Sequence, residues 1–167
     1  MQAASTVAAP LELVNVYCFK PPIAPHIAAR EAGVRISITR IARALDELAV
    51  MADVVIVEGA GGFCVPLSEN VDSADLAQYL GLPVILVVGM RLGCLNHALL
   101  TAQAIRSRGL FLVGWIANHI DPAMAVIADN IAALAERLAA PLLGEIEFSA
   151  IPDARRISLK LDLSPLD

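Results

Sequence analysis

The stretch DVVIVEGAGGFCVPLS, Asp53 to Ser68, runs an apolar segment into a single carboxylate, Glu58, and then into Gly59, Ala60, Gly61 and Gly62. A continuous apolar run closed by glycines predicts a strand buried on both faces, with the acid at its carboxyl end. Downstream the pattern alternates. SADLAQYLG (73–81) predicts a short helix and PVILVVG (83–89) a second strand buried on both faces. In CLNHALLTAQAIRSRG (94–109) the apolar positions Leu95, Ala98, Leu99, Ala102 and Ile105 recur at helical spacing and stop at Gly109. LVGWIAN (112–118) predicts a third strand, AVIADNIAALAERLAA (125–140) a helix, and PLLGEI (141–146) a short last strand. Upstream, ITRIARALDELAVM (38–51) reads as an amphipathic helix, and the last fifteen residues read as a tail wrapping the surface. Such alternation implies parallel βαβ units. The expected fold is α/β, a mostly parallel sheet flanked by helices on both faces in a Rossmann-like three-layer arrangement. One domain is expected to span residues 1–167, with no internal repeat, low-complexity tract or linker.

Composition narrows the partners. At 57% hydrophobic but only 4% aromatic, the 167 residues suit a core packed by Ala, Val, Ile and Leu. A net charge of -5, with Lys20 and Lys160 the only lysines, argues against nucleic acid or an anionic membrane as the main partner. Apolar runs are strand-sized, below the roughly 20 residues of a spanning helix. The N-terminus MQAASTVAAP lacks the basic start and apolar core of a secretory signal. Cys18, Cys64 and Cys94 lie far apart without CxxC spacing, which predicts reduced thiols packed in the interior and a cytoplasmic protein.

In open parallel sheets, ligands sit beyond the carboxyl ends of the strands. Four places qualify: Glu58, the segment from Gly89 to Asn96, Asn118, and the segment from Glu145 to Ser149. An acid ending a hydrophobic strand has the form of the magnesium-anchoring carboxylate of P-loop NTPases, and the glycines behind it allow backbone to approach a ligand. A solvated acid beside a tight turn has the same form. GCLNHA opens a helix, whose free N–H groups favour anions, although Asn96 could equally be an N-terminal cap. His97 has no metal-ligand spacing to another acid or histidine and reads as structural; His26 and His119 read as packing or surface residues.

VEGAGG, LPVILVVG, LGCLNHALLTAQAI and GWIAN, in that order and followed by APLLGEI, resemble the dethiobiotin synthetase family across most of the chain. PIAPHIAAREAG (22–33) is similar to the family's Pro-His segment. VEGAGG alone would also suit related amidoligases such as the cobyrinic acid synthases. The resemblance implies an ATP- and magnesium-dependent ring closure. In it 7,8-diaminononanoate takes up carbon dioxide as a carbamate, ATP phosphorylates that carbamate, and the second amine closes the ureido ring as phosphate leaves. It further implies that Glu58 is a magnesium ligand and that Glu58, Gly59, Ala60 and Gly61 form one wall of the nucleotide site. Asn118 then recognises the adenine, whose edge needs a donor and an acceptor together. Glu147, Phe148 and Ser149 occupy the loop that touches the base, where the family often has Pro-Trp-Leu-like residues. Cys94 and Asn96 would receive the substrate carboxylate across a homodimer boundary, with Leu95, Ala98 and Ala102 as an exposed stripe buried between subunits.

A GxxxxGK[ST] phosphate loop appears nowhere, since Lys20 is followed by Pro21 and Lys160 by Leu161. The family places that loop, and the lysine that handles the carbamate, upstream of anything present here. The expectation is a chain corresponding to the C-terminal three quarters of the family pattern, without catalytic lysines and without the strand beside VVIVEG. A non-catalytic remnant or dimerisation module of the same fold is the competing reading. A ParA-like ATPase would need its own phosphate loop and a basic or amphipathic attachment surface, and the sequence has neither.

Overall fold

Two units make up the chain, Met1–Gly81 and Leu82–Asp167, and a computed structural model describes residues 5–166. The first unit carries helices α1 (Leu11–Val14), α2 (Pro25–Glu31), α3 (Ile38–Met51) and α4 (Ser73–Leu80). Helix α3 forms over the residues its periodicity predicts. Ile38, Ile41, Ala42, Leu45 and Leu48 are partly buried and Ala44 is buried, while Arg40, Arg43, Asp46 and Glu47 stay exposed. Its start is capped by the Ser37 side chain, which accepts the Arg40 N–H. Helix α3 packs against α1 and α4. Helix α2, from the Pro-His segment, starts with Pro25 in its first turn and buries Ala28 and Ala29.

The strand expected over DVVIVEG does not form. Residues 54–59 have no regular secondary structure, and Val54 and Ile56 are 77% and 80% exposed. A strand exists through its neighbours, whose N–H and C=O groups complete its ladder, and no described residue pairs with this segment. High β-propensity cannot substitute for that missing partner.

The second unit holds the parallel sheet: β1 (Val84–Met90), β2 (Leu112–His119) and β3 (Leu142–Ile146), in the order β1-β2-β3. Helices α5 (Cys94–Ser107) and α6 (Ile127–Leu138) connect them. This is the α/β, parallel architecture that the alternating pattern predicts. The core joins Val88 and Met90 of β1, Trp115 and Ala117 of β2, Cys94, Ala98 and Ala102 of α5, and Ile131, Leu134 and Leu138 of α6. Trp115 is its largest fully buried side chain, and truncating such a residue to alanine costs about 3 to 5 kcal/mol. The Arg106 guanidinium donates to the Leu138 carbonyl, satisfying one of the orphan acceptors at the end of α6.

Three expectations change here. The expectation of β1 buried on both faces does not hold: Ile85 and Val87 are 41% and 56% exposed, because only its Val88 and Met90 face packs with the helices of this unit. Ala98 and Ala102, expected as an exposed stripe, are 3% and 1% exposed inside the unit's own core. Their small side chains let α5 lie close on the sheet. Interior packing holds for Cys94 alone, since Cys18 and Cys64 are exposed; all three are free thiols.

The tail contains helix α7 (Ala154–Ser158) and a 3-10 turn, Ser164–Leu166, that packs on β2. Among the described residues no helix is long and apolar enough to cross a membrane.

Candidate functional site

On the first unit, Glu58 and Gly59 to Gly62 form an exposed turn. Gly61 and Gly62 adopt φ 86 and φ 117, a region that side chains with a Cβ rarely enter, so glycine is required at both. The turn is held by a residue the sequence reading passed over. Ser73, the first residue of α4, donates its hydroxyl to the Phe63 carbonyl at 2.6 Å and accepts the Val65 N–H at 2.9 Å. Around it Asp72 and Asp75 make a reciprocal capping box, each carboxylate accepting the other's N–H at 2.8 Å. The signal for it was present in the sequence, as D-S-A-D before an apolar run.

Glu58 offers one hard oxygen donor group in an open setting, and a Cβ at Gly59 or Gly62 would meet nothing within 4 Å. Among the described residues no group of three or more His, Cys, Asp or Glu side chains could hold a metal ion. A dedicated all-protein zinc or calcium cage therefore does not fit these residues. Magnesium fits, because it keeps several waters and takes one or two carboxylates together with phosphate oxygens.

On the second unit, the carboxyl ends of the adjacent strands β2 and β3 carry the other candidates. Asn118 is the register partner of Ile146, the last residue of β3. Glu147, Phe148 and Ser149 follow directly and line a cavity of about 210 Å³ with Ile151, Arg156 and Lys160. Phe148 is half exposed, with ring surface available to a planar ligand. Lys160 Nζ lies 3.0 Å from Glu147 Oε2. That hydrogen bond first, and the lysine's charge second, hold the Glu147 carboxyl below the ordinary glutamate range. Beside Asn118, His119 Nε2 lies 2.8 Å from Glu145 Oε1.

The helix start at GCLNHA separates its two candidates. Cys94 is 3% exposed and belongs to the core, whereas Asn96 is exposed. The N-cap is Gly93, with φ 92 and no side-chain cap bond. Asn96 sits inside the first turn and is not the cap, so its amide has no capping duty.

A family model described as an AAA domain matches residues 1–154 and so runs across both units. The ATP-dependent dethiobiotin synthetase BioD of Aromatoleum aromaticum is 56% identical over 163 residues, which cover 98% of this chain and 72% of the relative. The protein of the same name from Nitrosospira multiformis is 54% identical over 164 residues, covering 98% and 73%. That from Ralstonia nicotianae is 51% identical over 166 residues, covering 99% and 72%.

Proposed function

Because the chain belongs to the ATP-dependent dethiobiotin synthetase family, we propose that it serves the closure of the ureido ring of dethiobiotin from 7,8-diaminononanoate, carbon dioxide and MgATP. One amine adds to carbon dioxide and loses a proton to give a carbamate. A carbamate oxygen takes the γ-phosphoryl group, releasing ADP, and the second amine attacks the carbonyl carbon and expels phosphate. The reading is supported above all by the register of Asn118 with Ile146, the residue that precedes the 147–149 loop, at the carboxyl ends of two parallel strands.

In this reading the Asn118 amide takes the adenine edge, donating and accepting at once. Phe148 covers the face of the base, with Glu147 and Ser149 at its rim. On the first unit, Glu58 beside the backbone of Gly59, Ala60 and Gly61 would hold magnesium, which when bound neutralises phosphate oxygens. In a polypeptide extended to the length of its relatives, Asn118→Ala is expected to raise the KM for ATP roughly tenfold or more, the worth of two neutral hydrogen bonds. The KM for diaminononanoate should stay unchanged, and equal effects on both substrates would remove Asn118 from the base site.

The working form is proposed to be a homodimer in which Asn96 of the partner subunit meets the substrate carboxylate, with Cys94 buried beneath it. Mixing an Asn96→Ala chain with a Glu58→Gln chain tests this. Some mixed dimers then keep one intact site, and activity partly returns. If both residues serve the same chain, mixing restores nothing. The proposed compartment is the cytoplasm, where free thiols persist; recovery of the protein outside the cytosolic fraction would contradict it.

A further inference from the structure

The chain leaves the sheet at Glu147 and returns to it at Leu161. The return is an antiparallel bridge between Gly144 and Leu161, with the Asp162 N–H donating to the Leu143 carbonyl at 2.7 Å. Lys160, next to the bridge, pairs with Glu147, the first residue after β3. The excursion that lines the cavity is thus tied at its two ends by backbone and by charge. The approach depends on a missing side chain. A Cβ on Gly144 would lie 2.5 Å from the Lys160 carbonyl oxygen and 2.8 Å from Leu161 Cδ2. The first of these contacts is backbone, which cannot swing aside as a flexible side chain does. Gly144 lies outside the left-handed region, so close approach, and not conformational freedom, accounts for the glycine.

Ile146, two residues beyond Gly144, is the register partner of Asn118. The strap is therefore anchored two residues before Ile146, the residue in register with Asn118 and the last one before the 147–149 loop. We propose that Gly144 is a positioning residue for nucleotide binding: by admitting residues 160–162 onto β3 it fixes the 147–149 loop against Asn118. This rests on the nucleotide reading given above. A strap that only shields the edge of β3 would protect against aggregation and contribute stability without altering affinity for a base.

The test uses the isotope-labelled 167-residue chain, with adenosine and ATP as probes and the amides of Asn118 and residues 147–149 as reporters. Gly144→Ala is expected to speed hydrogen exchange at 147–149 and to weaken adenosine binding roughly threefold to tenfold, while amides of α5 and α6 stay protected. Asp162→Pro removes the strap's N–H donor without altering β3 and should reproduce the loss, which keeps the test decisive if Gly144→Ala fails to fold. Faster exchange at the loop with unchanged adenosine affinity overturns the positioning role, as does unchanged exchange in both variants. If neither probe shifts any reporter in the unaltered chain, the nucleotide reading is itself overturned, and the positioning role falls with it.

Discussion

Dethiobiotin formation from diaminononanoate, bicarbonate and MgATP is expected to be undetectable with a polypeptide of these 167 residues alone. Phosphoryl transfer depends on positioning and on neutralising charge at the transferring group, and the phosphate loop supplies most of both. No GxxxxGK[ST] sequence occurs among these residues. Neither lysine can stand in, since Lys20 is followed by proline and Lys160 is engaged by Glu147. The measurement is product formed by the purified polypeptide at saturating MgATP. Turnover within roughly tenfold of a full-length relative would mean that charge stabilisation comes from groups other than a phosphate loop.

The second large effect falls on Glu58. In a polypeptide extended to the length of its relatives, Glu58→Gln is expected to lower the rate on the order of a hundredfold or more, as loss of a charge-stabilising group does. The amide is nearly isosteric and sits in an exposed turn, so the fold should be unaffected, while a hard cation loses a charged oxygen ligand. The loss should ease partly as magnesium is raised. A rate equal to the parent's at every magnesium concentration would return Glu58 to a solvated acid beside a turn.

Helices α3, α4, α5 and α6 were legible because their information is local, whereas the shorter α1, α2 and α7 were not read as helices. The apolar spacing and the Ser37 cap fix α3, and Gly109, with φ 71 just beyond the end of α5, marks where that helix stops. The place of Asn118 near the carboxyl end of β2 was legible for a related reason, because a hydrophobic run ends there. DVVIVEG was misread because a strand is completed by residues remote in sequence. The same remoteness explains Ala98 and Ala102, since periodicity reveals a stripe but not the surface that covers it, here the chain's own sheet. Gly144 and Lys160 carried no local signal at all. Their roles arise only when Leu161 folds back on β3, and a lone glycine in a short strand pattern leaves bulge, bend and close approach equally open.

The most direct measurement supplies ¹³C-bicarbonate, diaminononanoate and MgATP to the polypeptide extended to the length of its relatives and follows the label and the phosphate together. The expected result is ¹³C in the ureido carbonyl of dethiobiotin, with phosphate released in step with product and both lost when ATP is omitted. ATP hydrolysis without labelled product, or labelled product formed without ATP, would contradict it.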